Sequence, residues 1–196
     1  MIPLQSRAQP TLLRFVVLAA VMGFATFAAL EWADAAPAQH SPPIVRARLV
    51  LSTSAVHAGM RTHAAAVVTI APNFHINDHH PALDYLIPTE LKLHSGKTFS
   101  VGRVTYPSGR LEKLAFSSKR LSVYKGRLVV MALLRVGSGT APGEYPLRGK
   151  LEYQACNDHA CFPPAVIPLK LNVQVMGSSI PLHAVHPAIF RKARTR

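Results

Sequence analysis

Acidic residues are scarce: 9 Asp and Glu face 22 Lys and Arg over 196 residues, for a formal net charge of +13. Such a surface attracts nucleic acid, acidic lipid headgroups and acidic proteins alike, and charge by itself selects none of them. Aromatic residues are also few, at 7%. The most basic stretch, Arg191 to Arg196, has only Phe190 beside it, which argues against the base-stacking aromatics that a nucleic-acid surface interleaves with its cations. Sustained helical periodicity is missing after residue 36, and so is any later apolar run of membrane-spanning length. Low complexity is excluded by the even spread of Val, Leu and Ile. What remains is material for one modest domain, 49% hydrophobic, and too little for a multidomain enzyme. Two cysteines leave a single intrachain pair to explain.

The N-terminus reads as an address. Residues 1–14 carry Arg7 and Arg14 and no acid, Phe15 to Leu30 run uncharged for 16 residues, and small residues surround Ala35. This is the pattern of a secretory signal peptide over 1–35, an N-terminal signal helix cleaved after Ala35. The competing reading is a membrane anchor, for which 16 residues fall short of the roughly 20 that span a bilayer. Cleavage removes two bases and two acids and leaves the charge unchanged. A mature chain without stable membrane insertion, in an oxidising compartment outside the cytoplasm, is expected.

Residues 36–43 are Pro/Ala-rich and read as a linker. From there, β-prone runs recur between turn signals: Val45–Leu51, Ala64–Ile70, Glu90–Leu93, Ser100–Tyr106, Leu121–Tyr124, Arg127–Val136, Glu144–Tyr153 and Ala165–Val175. Val45, Ala47, Leu49 and Leu51 alternate with Arg46, Arg48 and Val50, putting one face in a core and the other in water. Pro107-Ser108-Gly109, Lys125-Gly126 and Gly137-Ser138-Gly139 supply turns. An all-β, immunoglobulin-like antiparallel β-sandwich over residues 44–176 is the simplest architecture. Residues 177–196 lose the alternation and end in a run of bases, which reads as a disordered basic tail.

The chemistry lies in Tyr153-Gln154-Ala155-Cys156-Asn157-Asp158-His159-Ala160-Cys161-Phe162-Pro163-Pro164. A turn over residues 157–160 would set the cysteines opposite one another, about 4.5–5.5 Å apart at Cα, within disulfide reach. A bridge closing so short a loop stabilises by roughly 2 kcal/mol, against about 3 for fifteen residues and nearly 5 for a hundred. A staple is better placed between distant strands, whereas paired nearby thiols suit exchange, one attacking and the other resolving. Small hairpin-closing disulfides also exist, so the residues leave both roles open.

This string resembles the cysteine motif of the N-terminal periplasmic domain of the DsbD thiol:disulfide interchange proteins, also called disulfide-bond corrector domains. Pro88-Thr89-Glu90-Leu91, Val104-Thr105-Tyr106-Pro107 and Ser122-Val123-Tyr124-Lys125-Gly126 resemble the family's order of segments, so the likeness covers roughly residues 44–176. The resemblance implies an electron relay, a protein-disulfide reductase acting in the periplasm without a cofactor. Reducing equivalents would come from a membrane-embedded donor and pass to thioredoxin-like partners. It implies Cys161 as the exchanging sulfur, Cys156 as the resolving one, and Phe116 as the aromatic of a cap loop that shields the disulfide. Leu114 and Ala115 stand where well-known members carry acids before that aromatic. The chain carries neither the membrane domain nor the thioredoxin-like domain of the large members, so the donor would be a separate protein.

Other readings stand beside this one. His159 and Asp158 pull a nearby thiol pKa in opposite directions, and a solvated turn is the plain alternative for both. Phe116 could equally be a core aromatic. His75, His79 and His80, with the two cysteines, could bind copper or zinc, though the spacing is not diagnostic and histidines in polar loops are more often solvated. A non-enzymatic secreted binding module, with a structural disulfide and a basic docking surface, is the alternative from a different functional class.

Overall fold

A computed structural model describes residues 43–94 and 96–191. The expected signal peptide, and the linker up to residue 42, lie outside these residues. Strands dominate. β1 (Val45–Leu51), β3 (Arg61–Ile70), β9 (Arg127–Val136) and β6 (Phe99–Thr105) form one sheet in the order β1-β3-β9-β6. β2 (Val56–His57), β12 (Ala165–Met176), β10 (Gly143–Tyr153) and β5 (Glu90–Leu93) form a second in that order. β11 (Ala155–Cys156), β4 (His75–Asn77), β8 (Arg120–Tyr124) and β7 (Arg110–Lys113) form a third, smaller one. All pairings are antiparallel except the two-residue contact of β2 with β12. The immunoglobulin-like sandwich expected from the sequence is the fold, and the small third sheet is an addition to it.

Alternation explains the layers. Along β9, Leu128, Val130, Ala132, Leu134 and Val136 are buried while Val129, Met131 and Leu133 lie on the other side. Leu49, Val68, Val130 and Leu134 from the first sheet join Leu147, Leu151, Leu169 and Val173 from the second in one core. At the β8–β9 turn, Gly126 has φ +66°, a left-handed conformation in which a side chain would be strained. A second cluster of Leu86, Leu114, Leu121 and Val123 fills the space beneath the third sheet.

The C-terminal segment corrects one expectation. Gly177 to Arg191 is laid back on the sandwich instead of trailing as a disordered tail. Ser54 donates its backbone N–H to His183 at 2.8 Å, Val185 donates to Ser52 at 3.0 Å, and Thr53 bridges Ala184. The short helix α1 (Pro187–Phe190) sets Ile189 and Phe190 against Val50, Ala65, Val67, Val129 and Met131. The physical reason is the outer face of the first sheet, which is apolar at its centre and needs cover. One bridge and one helical turn leave no periodicity to read in the sequence. The terminal bases beyond Arg191 lie outside the described residues.

Candidate functional site

The cysteines close a hairpin. Cys156 and Cys161 are bonded at 2.03 Å and face each other as an isolated antiparallel bridge, with their Cα atoms 3.9 Å apart, closer than the expected spacing. Asn157 builds the turn between them. Its Oδ1 accepts the backbone N–H of His159 and of Ala160, each at 2.9 Å, and its own N–H donates to Ala160 at 3.0 Å. Asp158 and His159 are exposed at the tip of this turn. Cys156 is wholly buried and Cys161 is partly exposed, so one sulfur-bearing residue faces the interior and the other the surface.

Register decides what lies beside the disulfide. Cys156 is opposite His75 on β4, and Ala155 is opposite Ile76. Residues directly opposite in an antiparallel pair share a face, so His75, Cys156 and Cys161 form a row across three chain segments. Ala155, Ile76 and Phe162 belong to the opposite face, where the rings of Phe74 and Phe162 meet with centroids 5.8 Å apart. His75 is 1% exposed, and its Nε2 has no hydrogen-bond partner. Burial, and then the charge of Lys125, hold its pKa below the ordinary histidine value, against the opposing pull of Asp158 and Glu112.

Phe116 lies over this row. Its ring is nearly parallel to that of His75, at 9° and 6.5 Å between centroids, and it remains 39% exposed. Leu114 anchors the segment in the small cluster, Ser117 donates its N–H to Leu114, and Lys113 Nζ donates to Ser117 and Ser118. Phe116 is therefore a surface ring against His75 and not a core aromatic.

Polar residues the sequence reading did not single out hold β4 in place. Gln154 accepts from Asn77 Nδ2 at 3.1 Å and from the Ile87 N–H at 3.3 Å, and donates to the Phe162 carbonyl at 3.2 Å. It thereby ties the 80–88 loop to the residue after Cys161. Asn77 also donates to the Ile87 carbonyl at 3.0 Å, and its buried Oδ1 is unpartnered. Just beyond β4, the Asp78 carboxylate accepts from Tyr124 at 2.5 Å, Ser122 at 2.6 Å and the Gly109 N–H at 3.2 Å. A Cβ on Gly109 would collide with both Ser122 and Asp78. Burial pushes the Asp78 pKa up, but the hydrogen bonds from Ser122, Tyr124 and the His80 and His79 amides outweigh it and hold the carboxyl below its ordinary value. Tyr124 is pushed well above a normal phenol by burial and by Asp78. The residues that carry this network, Ser122 and Tyr124, and Thr89, whose hydroxyl donates to Asn77 at 2.6 Å, come from the segments quoted for the family resemblance. Spatial convergence was the missing signal, because each residue alone reads as an ordinary strand polar group.

The histidines do not converge. His79 stacks on Tyr106 at 3.7 Å and holds the Thr89 carbonyl at 3.1 Å through Nδ1, with His80 edge-on to it at 4.5 Å, while His75 faces the disulfide row. Among the described residues no group of three or more His, Cys, Asp or Glu is arranged to hold a metal ion.

Residues 46–171 match the family described as thiol:disulfide interchange protein DsbD, N-terminal. The chain belongs to this family. No curated protein matches the chain as a relative. Among solved structures, the DsbD N-terminal-like chain is similar to the N-terminal periplasmic domain of ScsB from Proteus mirabilis, at 15% identity and a TM-score of 0.50, over 78% of this chain and 53% of that one. It thus spans about half the length of that ScsB domain, and the likeness is one of fold. The reduced DsbD N-terminal domain of Neisseria meningitidis is matched at 16% identity and TM-score 0.37, over 68% of this chain and 88% of that one. A DsbD N-terminal domain in complex with the PilB N-terminal domain, from the same organism, is matched at 16% and 0.42, over 72% and 95%. Among the described residues no helix is long and apolar enough to cross a membrane.

Proposed function

We propose that the domain performs thiol–disulfide exchange through Cys156 and Cys161, relaying reducing equivalents to thioredoxin-like proteins in the periplasm. The observation that carries this reading is the asymmetric pair itself: two cysteines on a four-residue turn, one buried and one at the surface, in a chain of the DsbD N-terminal family. Cys161, the more exposed, is the sulfur that exchanges with a partner, and Cys156 resolves the mixed disulfide. Phe116 is the cap ring, and Phe162, 38% exposed beside Cys161, offers apolar contact to a docking protein. Asp158 and His159, at the tip of the turn, tune the exchange by their charge. In the mature protein, taken to begin after Ala35, the electrons arrive from a membrane-embedded donor.

The test is a Cys156→Ala variant, which leaves Cys161 unable to be resolved. It is mixed with a thioredoxin-fold protein keeping only its attacking cysteine, activated as a thionitrobenzoate disulfide. A mixed disulfide through Cys161 is expected, and none forming would overturn the reading. The reduction potential of the native pair is the companion measurement. Exchange proteins lie between about −270 and −120 mV, while structural disulfides fall below about −300 mV. A value in the structural range would favour the binding-module reading.

A further inference from the structure

We infer that His75 is the proton acceptor for the Cys156 thiol at the step in which Cys156 closes onto Cys161 and releases the partner. The inference rests on the exchange function proposed above and deepens it. Neither burial nor spacing in the sequence marks this histidine; three structural observations do. His75 is directly opposite Cys156 in the β4–β11 register, on the same face, so that the two Cβ atoms stand about 4.5–5.5 Å apart. Its Nε2 is buried and unpartnered, which ordinary packing leaves to few polar atoms. The Phe116 ring lies parallel to the imidazole, and His75 is only 1% exposed, so water has little access to fill that role.

The chemistry explains why such a group is needed. In the reduced domain, the Cys161 thiolate attacks a partner disulfide, forming a Cys161–partner bond and freeing one partner sulfur. Cys156 must then become a thiolate, yet it is fully buried, where the neutral thiol is favoured and water is not at hand to take the proton. His75 Nε2 takes that proton. The Cys156 sulfur attacks Cys161, the Cys156–Cys161 bond forms, and the bond to the partner breaks with its electron pair leaving on the partner's second sulfur. The domain's dithiol is oxidised by two electrons and the partner's disulfide is reduced to a dithiol, while the imidazolium passes its proton to the leaving sulfur or to solvent. Burial keeps the resting imidazole neutral and so able to accept. The charged groups facing it are Lys125 from the β8–β9 turn, Asp158 from the cysteine turn and Glu112 from β7. Glu112 pairs with Lys125 at 3.4 Å, which blunts the lysine's effect. The two carboxylates favour the imidazolium once it forms.

The experiment follows the reduced full-length protein with 5,5′-dithiobis(2-nitrobenzoate) in a stopped-flow instrument across pH 5.5–9.5. The first thionitrobenzoate release reports attack by Cys161, and the second reports closure by Cys156. In the native protein the second phase should rise through an imidazole-range pKa, below the ordinary thiol value of about 8.5. His75→Phe, which keeps a ring beneath Phe116, should slow the second phase at pH 7 by roughly a hundredfold or more, as expected for losing a general base. It should also move the pH dependence to that of a thiol while leaving the first phase unchanged. His75→Gln, which hydrogen-bonds but does not accept a proton, should behave likewise. A native second phase governed only by a thiol-like ionisation overturns the inference, whether or not the variants fold, and so does a folded His75→Phe that keeps both rate and profile. Because the probe is a small disulfide, failure to trap a thioredoxin-fold partner would sink the proposed function and leave this result separately readable.

Discussion

Replacing Asp78 by Ala tests whether the network behind β4 holds the site together. The carboxylate accepts two hydroxyl hydrogen bonds, at 2.5 Å from Tyr124 and 2.6 Å from Ser122, and the Gly109 amide at 3.2 Å. Bonds of this length to a charged acceptor are the strong kind, and each hydrogen bond to a charged group is worth about 1.5–3 kcal/mol net. The Tyr124 hydroxyl also lies 3.0 Å from the Pro107 carbonyl, which can accept its hydrogen bond once Asp78 is gone. One of the two hydroxyls is therefore rehoused, and a loss of about 2–4 kcal/mol is expected. Urea unfolding would show it as a midpoint shift of roughly 1–2 M for a slope of about 2 kcal/mol per M. The pH dependence fixes the sign. The folded-state pKa of Asp78 is lowered, so its stabilisation is complete above the unfolded value of about 3.9 and disappears as pH falls through the folded value. The gap between the native protein and Asp78→Asn should stay constant from pH 7 to 5 and close below about pH 4. A gap smaller than about 0.5 kcal/mol for Asp78→Ala, the size of an ordinary surface change, or a gap that widens in acid, would refute the reasoning.

Other outcomes can be checked as directly. Gln154→Ala removes the link from Asn77 and Ile87 to Phe162 and should cost about 1–3 kcal/mol, with faster hydrogen exchange at the Ile87 amide; unchanged exchange there would show that the side chain does not hold the loop. Phe116→Ala should speed reduction of the disulfide by dithiothreitol roughly two- to twelvefold, taking an aromatic contact as worth about 0.5–1.5 kcal/mol. Thiol-alkylation gel shifts measure this, and an unchanged rate would remove the cap role. Truncation after Met176 should expose Val50, Val67, Val129 and Met131 and raise binding of a hydrophobic dye, whereas removing only residues 192–196 should leave it unchanged.

The three chemical layers of the site depend on one another. Asp78 and Gln154 fix the C-terminal end of β4, β4 sets His75 against Cys156, and the Asn157 turn sets Cys156 against Cys161. The hairpin disulfide closes too short a loop to stabilise the sandwich much, and the large apolar core needs little help from it. On the exchange function proposed above, its chemistry is the property that this supporting network suits.

Local pattern was enough for the β class and the long strands. Val45–Leu51 and Arg127–Val136 are read from the sequence at their observed limits, because several residues of alternation or a β-branched run mark a face before any partner is known. The cysteine turn was equally legible, since Asn157 acts within four residues of itself. Tertiary structure alone decided the rest. Val56–His57, His75–Asn77, Arg110–Lys113 and Ala155–Cys156 are two to four residues long, and a segment that short is a strand only because a neighbour supplies its hydrogen bonds. The C-terminal segment is ordered because an apolar sheet face lies beneath it, not because of its own composition. His75 read as one histidine of a polar loop until the register, which shifts every side chain to the other face with a slip of one residue, set it beside Cys156.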